Sequence, residues 1–325
     1  MIRKVNLIVT CTSRKTQTPV RGLRLRDLRE KSLSLRARHW IEKLRAKVLE
    51  NESHTEASKL YCGEYWSVVR ELPTAARKAG VSIRFWICSA GYGLITPGSE
   101  IRSYSATFSP EERDCVTRGL DAAARRVAAQ EWWKQIAMWS GPTGSRVRSL
   151  TSLARAYPST PLLVVASPDY LYALEKDLSG ALDALADPDL LLIVSAGTRS
   201  FGKFSDNLVP CDARLQPLVG GTRASLNIRV AKLLIERSGK MRLGAKRVSA
   251  ELGRLLKRQP PIENYQRRAV TDHQVRNFIR TQAHSNGMVI SRSALLRKFR
   301  DSGKACEQSR FANLYRQMVI DEKVA

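Results

Sequence analysis

The chain has 325 residues, 43% of them hydrophobic, which is enough to bury one large core or two moderate ones and argues against a disordered polymer. Its 55 Lys and Arg outweigh 30 Asp and Glu, and the formal charge of +25 exceeds what solubility needs and points to a polyanionic partner, nucleic acid foremost. No apolar run reaches the ~18–20 residues that span a bilayer, and the N-terminus runs into a strand-like segment without a cleavage pattern, so a cytoplasmic protein with no membrane attachment is expected.

From the N-terminus, residues 5–10 read as a buried strand that ends in Cys11-Thr12-Ser13-Arg14-Lys15. A thiol beside cations loses its proton more readily, so Cys11 is a candidate nucleophile. A cysteine closing a buried strand is more often a packed, inert thiol. Residues 21–47 carry ten basic and three acidic side chains with Leu23, Leu25, Leu28, Leu33 and Leu35 at helix-like spacing. This basic helix is either a solvated face or a phosphate-tracking surface, with Arg24, Arg36 and Arg38 as candidate contacts.

A second strand over 83–88 is followed by Ser89-Ala90-Gly91-Tyr92-Gly93-Leu94-Ile95, then by Pro97, Glu100 and Tyr104. Two glycines around a tyrosine let the backbone turn sharply and approach a ligand, while Tyr and Glu offer hydrogen bonds to a polar heterocycle. A tight structural turn is the other reading of the same residues. Residues 110–138 are expected to form one helix, capped by Ser109 with Pro110 in its first turn and closed by Trp132, Trp133 and Trp139, which read as core.

Further strands are expected at 162–166 and 190–195, each ending in small or polar residues. Four such runs separated by helical segments predict an α/β fold, with a mixed or mostly parallel sheet covered by helices. Ligands in such folds bind beyond the carboxyl ends of the strands. Asp169 and Asp206 are spare polar candidates there, and Ser167-Pro168-Asp169 also reads as a helix cap. Gly220-Gly221-Thr222-Arg223 has the look of a phosphate-binding loop or of a plain capped junction.

Composition changes near Arg237-Ser238-Gly239-Lys240, dividing the chain into 1–236 and a basic helical unit over 237–325. Helices expected at 243–257, 272–285, 291–299 and 307–318 are compatible with a helix-turn-helix or winged-helix nucleic-acid-binding module. Its most attractive DNA-facing helix is 291–300, with Arg292, Arg297 and Lys298; a helical cap that merely packs on the first domain is the alternative. The six cysteines form no C-x-x-C pair and the four histidines no ligand spacing, so free thiols, no metal and no cofactor are expected.

The first strand with its Cys11–Lys15 loop, then Leu60-Tyr61-Cys62-Gly63-Glu64-Tyr65-Trp66 and the Ser89–Ile95 turn with Pro97, Glu100 and Tyr104, resemble the family that includes the bacterial peroxide-stress protein YaaA. The likeness covers roughly residues 5–110, weakens towards 230 and is absent from the basic C-terminal part. It implies a mixed α/β fold with DNA-binding capacity. The high charge and added basic domain suit the DpdC branch, which is associated with converting 7-cyano-7-deazaguanine in DNA to the 7-amido form, alongside other proteins of a deazaguanine DNA-modification system. The insertion at 16–59 and the C-terminal extension depart from the stress-response branch.

Hydrating a nitrile needs a nucleophile at carbon and a donor to the nitrogen. Either Cys11 adds as thiolate, with Lys15 favouring the thiolate and Tyr92 donating, or Glu100 activates water while Lys15 or Arg14 polarises the nitrile. Ser13, Arg14, Ser89, Gly91, Gly93, Tyr104 and Arg223 are the candidate substrate contacts. The rival expectation is a non-catalytic DNA-binding protein of stress response or phage defence on a related fold.

Overall fold

A computed structural model of the protein describes residues 3–30, 32–46, 54–198, 200–239, 242–261, 267–282, 284–285, 288–289 and 291–324. Lys47 and Lys240, which fall at expected element or domain borders, lie outside the described residues. The chain divides into two compact units, Met1–Pro260 and Pro261–Ala325.

In the first unit a six-stranded sheet is built from β1 (Arg3–Thr10), β2 (Val81–Ser89), β3 (Gly93–Ile95), β4 (Leu162–Val165), β5 (Leu191–Val194) and β6 (Leu208–Val209), in the order β3-β2-β1-β4-β5-β6. All neighbours are parallel except the β2–β3 pair. The central strands are buried on both faces, and for that reason they read in the sequence as continuous apolar runs rather than alternating ones. The two edge strands are too short to carry such a signal.

Seven principal helices surround this sheet: α1 (Leu33–Arg45), α2 (Glu64–Lys78), α3 (Ala122–Met138), α4 (Leu150–Ala156), α5 (Pro168–Ala184), α6 (Leu226–Ser238) and α7 (Ala245–Lys257). α2 packs on α6 on one side, and Trp66 of α2 lies 6.4 Å from the Phe85 ring of β2. On the other, α5 packs against both α3 and α4, and the Arg84 guanidinium sits 3.8 Å over the Tyr157 ring. Asp177 of α5 ties that layer together by accepting from the Leu150 and Thr151 amides at 2.8 and 2.9 Å and from Trp133 Nε1 at 2.8 Å. One carboxylate thus satisfies the free amides at a helix start and a buried indole.

Three boundaries differ from those expected. The helix expected over 110–138 begins only at Ala122, because the Asp121 side chain accepts from the Ala124 amide at 2.9 Å and caps it there. Upstream, the Asp114 carboxylate accepts from the Arg26 amide at 2.9 Å and Ser105 Oγ at 2.6 Å, holding its segment as an irregular strap. Likewise, residues 21–32 hold a short 3-10 turn, Leu25–Asp27, and only Leu33–Arg45 is α-helical. Leu23, Leu25 and Leu28 are nevertheless buried, while Leu35 is exposed. The first unit runs on to Pro260 rather than closing at 236, because α7 puts Ala245, Val248, Leu252 and Leu256 into the large core.

The second unit is helical, with α8 (Asp272–Gln282), α9 (Arg292–Asp301) and α10 (Gln308–Val324) around Val275, Ile279, Leu295, Phe299, Phe311 and Leu314. Thr271 and Gln274 cap α8 reciprocally: the Thr271 amide donates to Gln274 Oε1 at 3.0 Å and the Gln274 amide to Thr271 Oγ1 at 3.3 Å. Phe299 packs edge-on to Phe278 at 4.9 Å and against Phe311 at 5.8 Å.

Candidate functional site

The order β2-β1-β4 means that the chain leaves β1 in one direction and later returns to its other side, so the sheet reverses its winding between β1 and β4. A crevice opens at the carboxyl ends of strands at such a point. Tyr65 of α2 bridges the strand ends here: its hydroxyl accepts from the Thr10 amide and donates to the Val165 carbonyl, both at 3.4 Å, joining the ends of β1 and β4. At the end of β1, Cys11 Sγ lies 3.0 Å from the hydroxyl of Tyr170, which projects from the first turn of α5. The Tyr170 ring is held edge-on by Phe108 at 5.0 Å.

Lys15 comes from the same loop as Cys11. Its Nζ donates to the Thr12 carbonyl at 3.1 Å and sits 4.3 Å over the Tyr104 ring and 5.7 Å from that of Tyr61. Burial lowers its pKa from the ordinary lysine value, and the charges of Cys11, Cys62 and Asp114 work against that shift. A chain of hydroxyls continues inward, with Tyr61 and Tyr104 Oη 3.0 Å apart and Ser89 Oγ 2.6 Å from Tyr104. Ser89 Oγ also accepts from the Gly91 and Tyr92 amides at 3.2 and 3.0 Å, which fixes the turn after β2. Burial raises the pKa of Tyr61, Tyr104 and Tyr170 well above the ordinary phenol value, and the neighbouring Cys11 reinforces it. These three phenols therefore stay protonated at neutral pH and can act as donors. No protein-family model and no curated protein sequence matches this chain.

The arrangement joins a thiol, an ammonium group and three protonated phenols at the carboxyl end of a parallel sheet. Of the residues singled out from sequence, it brings together Cys11, Lys15, Ser89 and Tyr104. Gly91 belongs to its wall: a Cβ there would lie 2.5 Å from the Tyr104 ring, so only glycine admits that ring. Gly93 has φ +73° and occupies the left-handed region where the turn enters β3. Ser13 and Arg14 are exposed beside Cys11, and the Arg14 carbonyl accepts from the Cys62 amide at 3.1 Å.

Tyr92 and Glu100 lie elsewhere. The Tyr92 hydroxyl accepts from the Arg102 amide at 3.1 Å and donates to the Arg102 carbonyl at 3.3 Å, and burial pushes its pKa up to about 12. Glu100 is exposed on a two-residue ladder with Thr55–Glu56, and with Tyr92 and Trp139 it lines a separate cavity of about 570 Å3. Tyr170, Tyr61 and Tyr65 were not among the sequence candidates. Tyr170 carried a signal only in its position, five residues beyond the end of β4.

Arg223 is exposed, and its neighbours serve a structural purpose. The Thr222 amide and hydroxyl and Ser225 Oγ donate to the Glu64 carboxylate at 2.9, 2.8 and 2.7 Å, and Arg229 pairs with it at 3.2 Å. These donors hold the Glu64 carboxyl at about 2, below its ordinary range. A carboxylate of the protein thus sits where an anion was expected. Asp169 is half-buried in the first turn of α5, where burial raises its pKa, and Asp206 is exposed.

Arg24 and Arg38 are exposed, whereas Arg36 is half-buried and donates to the Val116 carbonyl at 3.3 Å. In the second unit Arg292, Arg297 and Lys298 are exposed along α9. Among the described residues, no three His, Cys, Asp or Glu side chains converge as metal ligands, and no helix is long and apolar enough to cross a membrane.

Proposed function

We propose that the protein hydrates a nitrile by covalent thiol catalysis, and that its substrate is 7-cyano-7-deazaguanine carried in DNA. The observation that carries the reading is the contact of Cys11 Sγ with the Tyr170 hydroxyl at the β1–β4 crevice, beside the Lys15 ammonium. Sulfur adds as thiolate to the nitrile carbon, and the nitrogen, as it becomes anionic, takes a proton from a phenol or from Lys15 to give a thioimidate. Water then adds to the same carbon. The tetrahedral adduct, its nitrogen now carrying two hydrogens, collapses: the carbon–sulfur bond breaks, the hydroxyl proton returns to the group that protonated the nitrogen, and the amide leaves with regenerated thiolate.

Tyr170 suits the donor role better than Tyr92, because its hydroxyl lies against Cys11 Sγ, whereas the Tyr92 hydroxyl is held by the Arg102 backbone. A general-base route through Glu100 has less support, since that carboxylate is exposed on a different cavity. The substrate assignment rests on the resemblance to the YaaA-like fold and its DpdC branch and on the charge of +25. The helices of Pro261–Ala325 are read as a helix-turn-helix or winged-helix module that adds DNA affinity.

The test is to incubate the protein with DNA bearing the nitrile base, digest it and weigh the nucleosides. The expected result is a gain of one water that Cys11→Ser abolishes. An active Cys11→Ser enzyme would remove the covalent route. Binding of the modified DNA without any product favours a non-catalytic DNA-binding protein of stress response or phage defence.

A further inference from the structure

Within the second unit, α9 and α10 present different chemistry to solvent. The outer face of α9 is cationic, with Arg292, Arg297 and Lys298 exposed and Asp301 at its end. Its inner face, Leu295, Leu296 and Phe299, is spent on the core. α10 buries Phe311, Leu314 and Met318 at helical spacing and exposes Asn313, Arg316 and Gln317 on the opposite side. No acidic residue falls between positions 308 and 320. Arg316 donates to the Asn313 side-chain oxygen and, at 3.3 Å, to the Ala312 carbonyl, so amide and guanidinium are held next to each other along the helix. Gln317 Oε1 accepts from Arg276 of α8 at 3.3 Å, which brings a second cation to its edge.

Asparagine and glutamine offer a donor and an acceptor together, which matches the adenine edge in the major groove, and arginine matches that of guanine. Lysine and arginine also bind phosphate oxygens, where no base information is available. Between the helices lie six residues, in which Gly303 at φ +76° turns the chain and Lys304–Ala305 pairs in parallel with Arg268–Ala269, fixing the segment that leads into α10 against the one that leads into α8.

We infer that α10 reads bases in the DNA major groove through Asn313, Arg316 and Gln317, while α9 holds the phosphate backbone through Arg292, Arg297 and Lys298. This deepens the DNA reading proposed above and rests on it. The occupant is duplex DNA rather than duplex RNA, because the deep, narrow major groove of A-form RNA does not admit a helix.

The experiment selects preferred sequences from a random duplex DNA pool with the full chain, then titrates preferred and scrambled duplexes against salt. Two variants are compared, Asn313→Ala/Gln317→Ala and Arg297→Ala/Lys298→Ala, after thermal melts show both to be folded. The amide variant is expected to lose about tenfold or more in preference for the selected sequence. Its salt dependence should not change. The cation variant is expected to weaken binding to both duplexes alike and to lower the salt slope by about 2, one for each phosphate contact removed.

Full preference retained by the amide variant, or preference lost in the cation variant alone, overturns the inference. Equal competition by duplex RNA overturns it as well. Wild-type chain that binds DNA without preference also overturns it, yet leaves the nitrile reading intact, since that reading is judged by product mass. Wild-type chain that binds no DNA at all overturns both.

Discussion

Tyr170 shows how a site residue escapes sequence reading. Its position is ordinary, a tyrosine in the first turn of a helix that opens with proline. Only the placement of β4 beside β1 brings its hydroxyl to 3.0 Å from Cys11, and strand order cannot be read from one sequence. Cys11 and Lys15 were legible because they share a short loop at a strand end, so their proximity is local. Tyr92 shows the converse: glycines on both sides make it look presented to a ligand, and the structure adds that the backbone of Arg102 engages its hydroxyl. If the Tyr170 phenol donates to the nitrogen of the reacting nitrile, Tyr170→Phe should leave the fold intact and lower kcat on nitrile-bearing DNA by about 10²-fold, the usual loss for one transition-state donor. Single-turnover product formation checks this, and an unchanged kcat would transfer the role to Tyr104.

Elements whose signal is internal were legible, and elements fixed by partners were not. Four strands were legible because burial makes their runs mostly apolar, and wholly so in β4 and β5. The start of α3 was misplaced because Ser109-Pro110 imitates a helix start, while the cap in use is Asp121. Near α6, the Gly220–Arg229 segment imitates an anion loop, but Glu64 at the head of α2 already accepts its donors. That latch ties α2 to α6 and makes a pH prediction. With its folded-state pKa near 2, against an ordinary 4.5, Glu64 stabilises the fold fully above pH 4.5 and loses that contribution as the pH falls towards 2. Because the side chain is 38% exposed, solvent screening reduces the effect to about 1 kcal/mol. Glu64→Gln should therefore lower Tm at pH 7 by a few degrees, and the gap to wild type should close between pH 4.5 and 2. A gap that persists at pH 2 would mean that the glutamine disturbs packing rather than removing a charge.

At the scale of the whole molecule, the division at Pro260 changes where the charge resides. The 65 residues after it hold 12 basic and 6 acidic side chains, so the first 260 positions carry 43 basic against 24 acidic and most of the +25. Several of those acids are used in internal pairs, among them Asp114 with Arg26, Glu175 with Arg126 and Glu251 with Arg237. The surplus cations of the α/β unit repel one another, a cost that salt or a polyanion relieves. Thermal unfolding should accordingly be resolved for each unit, since a chain of two compact units need not melt in one step. If both units engage DNA, both transitions should rise with added duplex; at a hundredfold excess of free DNA over Kd the bound unit gains about 2.7 kcal/mol. A rise confined to the second transition would make Pro261–Ala325 a tether and leave the Cys11 crevice to meet its base as a weakly held substrate. A rise in the first transition with the second unit's Arg297→Ala/Lys298→Ala variant would place DNA affinity in the α/β unit itself, where Arg24 and Arg38 stand exposed.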